Sequence, residues 1–384
     1  MDPREGASSL EVSLFQKAMQ TGTPVNGSLE LVPFCNMDCD FCYVHLTPAQ
    51  AGEAGGRIHS GKEWLKAAEQ MREAGVLFLL ITGGEPLLHP DFREIFSGLK
   101  KMGFILTLNT NGTLIDEGWI EYLKKEKPRR VNLTLYGAGP ETYEKTCHYR
   151  EGFDQSIRAL HLLKKAGIDT RVGFSLGKEN AQDAEAVLNI IRDLGMPVNF
   201  DPYMLPAVRE RHLPFCQQSR LEPEEAARAF VRYLGSQCTP EILQQYAAAK
   251  LEEIRQTDVS RREEGTIKCL AGQCSFAINW QGEMRPCVIL GETSASIFTH
   301  PFAEAWETIR EDCASIRLYS GCSVCRLRPV CRNCAACSLL ESGSFLGRPA
   351  YMCRFAESLA DALGKIAENR NTQDSVRPED GKTV

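Results

Sequence analysis

The chain has 384 residues, 43% hydrophobic and 24% charged, with a net charge of −6. That is ordinary for a globular protein with a sizeable core, long enough for two domains or for one large domain with an appendage. No run of one charge sign marks a nucleic-acid footprint, the first residues lack a secretory signal, and the longest apolar run, Val76 to Ile81, is far too short to cross a bilayer. Neither a nucleic acid nor a membrane is therefore an expected partner, and a cytoplasmic location is expected. Sixteen cysteines are the anomaly, and in a reducing cytosol they favour metal binding or catalysis over a disulfide framework.

About 27 residues, with one short helical stretch from Leu10 to Gln20, precede the first strand-like run. Apolar runs at 28–34, 76–82, 104–110, 130–136, 170–176 and 197–203 then alternate with amphipathic helical stretches such as 61–75, 154–167 and 183–195. Several of these stretches end in Gly, a helix stop. Strands alternating with helices imply βαβ units and a parallel sheet. Six strands fall short of the eight of a closed barrel, so residues 28–203 are expected to form an open, partial (β/α)6 TIM-like barrel, α/β in class. Its chemistry should gather at the carboxyl ends of the strands. Residues 204–265 look like a helical bridge, a loop followed by two amphipathic helices. Residues 266–355 are loop-rich and cysteine-rich and would hardly build a core without metal. A helix over 355–368 and a disordered tail are expected to close the chain.

The first strand runs into "CNMDCDFC", which sets Cys35, Cys39 and Cys42 at C-x3-C-x2-C spacing with no fourth cysteine close behind. A cubane iron–sulfur cluster needs four ligands. Supplying three leaves one iron open, as a catalytic zinc keeps a vacant position. A zinc ion completed by a distant residue such as His45 is the alternative that spacing alone leaves open. "TGGEPLLHP", Thr82 to Pro90, follows the second strand and so lies at the same end. Its glycines let backbone approach a small polar ligand, and Glu85 can accept from an ammonium group. Nine further cysteines are Cys269, Cys274, Cys287, Cys322, Cys325, Cys331, Cys334, Cys337 and Cys353. The pairs Cys322/Cys325 and Cys331/Cys334 are acceptable half-sites for zinc ribbons. Cys147, Cys216, Cys238 and Cys313 are expected to be small buried hydrophobes.

C-x3-C-x2-C followed one strand–helix unit later by Gly-Gly-Glu-Pro resembles the radical S-adenosylmethionine (SAM) enzymes, over roughly residues 28–203. The resemblance implies that Cys35, Cys39 and Cys42 hold a [4Fe–4S] cluster whose open iron chelates the SAM amine and carboxylate. It puts Phe41 near the adenine, gives the methionyl amine to Gly83, Gly84 and Glu85, and makes Asn109 to Thr113 a wall of the site. Thr134 stands where relatives carry a ribose-side hydroxyl, while Tyr136 replaces their acid. Arg150 and Arg171 are candidates, by position, for the SAM carboxylate. The implied chemistry is reductive cleavage of SAM, with an electron from a donor such as flavodoxin or ferredoxin, and hydrogen abstraction by a 5′-deoxyadenosyl radical. No side chain stands out as catalytic acid or base.

The C-terminal pattern C-x12-G-x4-C followed by C-x2-C-x5-C resembles the SPASM extension of those enzymes, which carries two auxiliary [4Fe–4S] clusters. One would take Cys269, Cys274 and Cys287 with Cys334 or Cys337, and the other Cys322, Cys325, Cys331 and Cys353. The usual pattern has three residues between the third cysteine of the triplet and the next; here there are two, and the choice between Cys334 and Cys337 stays open. Enzymes with this extension often modify peptide or protein substrates. Val288 occupies the position where sulfatase maturases place an Asp, which points away from that reaction. The short N-terminus implies leader recognition by a separate protein or direct peptide binding. The expected function is an oxidoreductase maturing a ribosomally made peptide, by a thioether, a crosslink or an epimerisation. Oxidation of a small molecule, sulfatase-type maturation despite Val288, and a zinc-bound scaffold without activity are the alternatives.

Overall fold

The computed structural model describes residues 9–204 and 219–374, with side chains as far as residue 368. They form two compact units, one of residues up to 220 together with 267–316, the other of 221–266 together with residues from 317 onward. The loop expected at 204–215 lies almost wholly outside the described residues, as does Cys216.

The first unit is built on one nine-stranded sheet. In chain order its strands are β1 (Asn26–Glu30), β2 (Phe78–Thr82), β3 (Ile105–Thr110), β4 (Arg130–Thr134), β5 (Thr170–Ser175), β6 (Val198–Asp201), β7 (Ser275–Ile278), β8 (Glu283–Arg285) and β9 (Ala295–Ser296). In space they run β6-β5-β4-β3-β2-β1-β7-β8-β9, so β6 and β9 are open edges. Strands β1 to β7 are parallel, and β8 and β9 fold back antiparallel. All six expected strands are present; five lie within their apolar runs, while β1 begins two residues before the run at 28–34 and ends four residues before its end. Three further strands come from the cysteine-rich stretch, β7 pairing with β1 from Asn26↔Ser275 to Leu29↔Ile278. With 4, 3 and 2 residues, they are too short for a period-2 pattern to announce them.

Alternation along the strands gives the sheet two unlike faces. Leu106, Leu108, Val131, Leu133, Val172 and Phe174 are buried on one. The register puts Asn109 beside Asn132, Asn132 beside Arg171, Thr134 beside Gly173 and Ser175 beside Asp201 on the other. Such a polar face does not suit a hydrophobic core; it suits a polar ligand.

Local signals place the surrounding helices. Ser60 starts Gly61–Glu73 with a capping box closed by Glu63, and the helix buries Trp64, Ala67, Ala68 and Met71. Ala184–Leu194 ends at Gly195 in the left-handed conformation, φ 63°. The N-terminal helix Ser9–Thr21 packs Phe15 on Phe78 with ring centroids 5.6 Å apart.

The second unit consists of the helices Pro223–Gln237, Pro240–Gln256, Ala335–Ser342 and Ala350–Asp374, with short turns between them. The last helix packs along the first two. It begins five residues earlier than the sequence suggests and continues through 369–374, where disorder was expected. Residues 375–384 lie outside the described residues. Among the described residues no helix is long and apolar enough to cross a membrane.

Candidate active site

The chain leaving β1 is shaped by the chain leaving β2. Gly84 donates its N–H to the Val32 carbonyl at 2.7 Å, and Glu85 donates to Phe34 at 2.8 Å, one residue before Cys35. A Cβ on Gly84 would stand 2.2 Å from the Phe34 oxygen. At Gly83, with φ +144°, it would stand 2.5 Å from the Val32 oxygen. The glycines, read in sequence as room for a ligand, are first of all room for the backbone that carries the cysteines.

Glu85 is fully buried and ties β2 to β3. Its carboxylate accepts from Thr110 Oγ1 at 2.9 and 3.0 Å, from the Asn111 N–H at 2.8 Å and from the Leu87 N–H at 3.2 Å. Burial pushes the carboxyl up to about 7, with the donors at Asn111, Leu87 and Thr110 pulling the other way. Three protons on about four lone-pair sites leave one for a further donor. The stretch Asn109 to Thr113 is bound into the same corner. Asn109 accepts from Asn132 at 2.8 Å on the polar face. Asn111 donates to Asn36 Oδ1 at 3.0 Å and reaches Cys35 Sγ at 3.6 Å, while Asn36 donates to Thr113 at 2.8 Å. Asn36 and Asn111 were not singled out from the sequence, because their partnership joins segments 75 residues apart.

Cys35, Cys39 and Cys42 lie within one another's electrostatic reach, and burial above all raises the Cys35 thiol. Backbone N–H groups point at two of the sulfurs, Met37 at Cys35 (3.4 Å) and His45 at Cys42 (3.3 Å). Cys39 is buried, and a thiol–thiol hydrogen bond with Cys147, then burial, raise its thiol; Tyr136 also bonds to it. The loop docks on the helix Pro140–Cys147 through Asp38 N–H to Cys147 O (3.0 Å) and Asp40 N–H to Thr146 O (3.1 Å). His148, left-handed at φ 52°, closes the contact with Asp40 at 2.8 Å. The rings of Phe41 and Tyr136 are 5.6 Å apart. Cys147 is thus buried as expected, but against a cysteine of the motif, and Tyr136 shares that wall.

His45, the alternative zinc partner, turns its ring to Asp38 at 3.0 Å. Arg150 is engaged at the surface with Glu141 and Glu144, whereas Arg171 stands on the polar face of β5. Thr134 shares that face.

The later cysteines gather within each unit. In the second, Cys331 lies among Cys353, Cys322 and Cys325, and burial followed by these neighbours pushes its thiol up to about 12. Asn333 Nδ2 donates to Cys322 Sγ at 3.4 Å and Arg348 Nε to Cys353 Sγ at 3.2 Å. Cys334 caps the helix Ala335–Ser342, where the Cys337 thiol and the N–H groups of Cys337 and Ala336 push it down to about 6. In the first unit, Leu290 N–H donates to Cys287 Sγ at 3.3 Å, and Cys274 packs among Phe15, Ala18, Val25, Phe78 and Leu270. Among the described residues no three His, Cys, Asp or Glu side chains converge tightly enough for a single metal ion. Sets of thiols with N–H donors aimed at sulfur are instead the donor chemistry of an iron–sulfur cluster, whose potential such bonds tune.

Residues 29–206 match the family model of the radical SAM superfamily. The chain carries a radical SAM domain. The enzymes of that superfamily use a [4Fe–4S] cluster and SAM. The chain is 24% identical to an AdoMet-dependent heme synthase of Methanosarcina barkeri, over 86% of this chain and 97% of the relative. It is 27% identical to the antilisterial bacteriocin subtilosin biosynthesis protein AlbA of Bacillus subtilis, over 69% of this chain and 55% of AlbA. The fold is similar to that of Streptococcus suis SuiB bound to S-adenosylmethionine, with a TM-score of 0.64 and 16% identity, covering 89% of this chain and 81% of that one.

Proposed function

We propose that this radical SAM enzyme matures a ribosomally made peptide, forming a thioether or carbon–carbon crosslink or epimerising a residue. The observation that carries the proposal is the second set of thiols. Cys322, Cys325 and Cys353 all lie within electrostatic reach of Cys331, with N–H donors on sulfur, in a chain that already has a cysteine loop. The bacteriocin-biosynthesis relative supports the substrate class.

In this proposal Cys35, Cys39 and Cys42 hold the SAM-binding cluster, and the later cysteines hold two auxiliary ones. Phe41, Gly83, Gly84, Glu85, Asn109 and Thr134 surround the cofactor. When bound, that cofactor supplies a 5′-deoxyadenosyl radical on receiving an electron, from a donor such as flavodoxin or ferredoxin. The chain's own residues do the rest. Gly83 and Gly84 let the loop after β2 lie against the cysteine loop. Glu85 holds both to β3 and keeps one lone pair for the methionyl ammonium. Asn109, Thr134 and Arg171 offer the ribose and carboxylate a polar face.

The near full-length match to the heme synthase favours a second substrate class, a small non-peptide molecule oxidised at the same site. One experiment separates the two. Anaerobically reconstituted enzyme is incubated with SAM, reductant and the small peptides encoded beside its gene, and the peptides are examined by mass spectrometry and chiral amino-acid analysis. A mass loss of about two hydrogens or an inverted residue supports the peptide assignment. Robust 5′-deoxyadenosine formation with every peptide unchanged overturns it in favour of the small molecule.

A further inference from the structure

The nine cysteines of the C-terminal pattern leave out Cys313, which the sequence suggests is a core filler. It is 4% exposed, on the helix Phe302–Ser315. Its sulfur faces the turn that carries Cys269 and Cys274. Gly272, at φ +66°, approaches so closely that a Cβ there would stand 2.4 Å from Cys313 Sγ. That turn is tightly wound, with the N–H groups of Gln273, Cys274 and Ser275 all directed at the Leu270 carbonyl at 3.0 to 3.1 Å. Cys287 and Cys269 lie near enough to act on the Cys313 thiol electrostatically, next after burial. The helix bearing it is fixed by Trp306 Nε1 donating to Gly22 O at 2.8 Å and by Phe302 set edge-on to Phe276 at 5.3 Å. Cys269, Cys274, Cys287 and Cys313 all belong to the first unit.

We propose that Cys313, rather than Cys334 or Cys337, is the fourth ligand of the auxiliary cluster held by Cys269, Cys274 and Cys287. The inference rests on the auxiliary clusters of the proposed function. Two further observations support it. With the three intervening residues of the SPASM pattern, a fourth cysteine after Cys331 would fall at position 335, and this chain has Ala335 there. Cys334 and Cys337, the substitutes at hand, belong to the second unit and engage each other at the start of a helix. Cys313 gives the site a complete set of thiolates from one compact unit. Phe15, Ala18, Val25, Phe78 and Leu270 around Cys274 would keep water from its apolar side.

The test is iron and acid-labile sulfide per chain, with electron paramagnetic resonance of the reduced protein, on anaerobically reconstituted full-length variants. Three clusters correspond to about twelve irons. C313A is expected to retain about eight and to lose one cluster signal, and C334A/C337A to retain about twelve. The pair C313A/C322A is expected to fall to about four, since the two residues belong to different clusters. Full iron in C313A overturns the assignment. So does the loss of about four irons from C334A/C337A, a result that does not depend on how C313A folds. A wild type with only about four irons overturns the auxiliary clusters themselves, and this ligand with them. Full wild-type iron that survives C313A overturns the ligand alone.

Discussion

The cysteine loop after β1 and the four cysteines of the second unit hold their sulfurs by different means. In the loop, position comes from backbone laid on backbone, Gly84 and Glu85 bonding the two carbonyls that lead into Cys35, while Glu85 is anchored on β3. In the second unit Cys322, Cys325 and Cys331 sit in or beside single 3-10 turns, Cys353 stands near the start of a long helix, and the donors on sulfur are the side chains of Asn333 and Arg348 and the Asn333 N–H. The first arrangement is preorganised by a sheet. In the second no sheet joins the turns, so the auxiliary cluster proposed there would couple metal binding to folding.

The largest effect expected from breaking this difference is at Gly84. An added methyl meets backbone oxygen at 2.2 Å, and neither strand end can yield without moving Cys35. G84A should keep the fold and lower SAM cleavage by about two orders of magnitude or more, read as 5′-deoxyadenosine formed per minute. A G84A enzyme within about threefold of wild type would mean that the loop is placed by something other than its contact with β2.

Next in size is C322A, which removes a ligand of the proposed auxiliary cluster from turns that no sheet holds. Far-UV circular dichroism and limited proteolysis should show the helices of the second unit loosened, with about four irons lost. C35A, by contrast, should lose its cluster and keep its fold. Equal loss of structure in both would erase the distinction between the two regions.

How much of this was legible beforehand follows from distance along the chain. The six parallel strands were visible because each is a local apolar run, and the cysteine loop because its ligands lie within eight residues. Strands β7 to β9 carry too few residues for a period. The contacts of Cys39 with Cys147 and Tyr136, and of Asn111 with Asn36, join residues 75 or more positions apart and leave no local mark. Cys313 is buried, as the sequence suggests, but the neighbours it is buried among are equally invisible along the chain. A buried thiol reads as filler until the fold brings Cys269 and Cys287 to it.

A third, smaller effect is the pH dependence of Glu85. Its carboxyl is held up to about 7 by burial, against an ordinary 4.5. The folded protein therefore binds this proton more tightly than the unfolded chain does. The resulting stabilisation is full below about pH 4.5 and is lost as pH rises through about 7, with an upper bound of about 3 kcal/mol. For cluster-free protein the urea midpoint should fall over that window. E85Q, neutral throughout, should flatten the fall. An unchanged slope in E85Q would assign it to other groups.

The smallest effect tests whether the contact at Asp40 matters to the loop at all. His148 adopts a left-handed backbone, which costs a side-chain-bearing residue about 1 kcal/mol, and its ion pair with Asp40 is half exposed and worth about 0.5 kcal/mol. H148A keeps the strain and loses the pair, so it should be destabilised by about 0.5 kcal/mol. H148G loses the pair but relieves the strain, so it should equal wild type or exceed it slightly. If both variants also cleave SAM at the wild-type rate, the loop's position rests on the main-chain bonds of Asp38 and Asp40 and on the glycines opposite, as backbone-on-backbone placement requires. If H148G is stable yet slow, then a side chain steers that loop too, and the two regions are less different than their hydrogen bonds suggest.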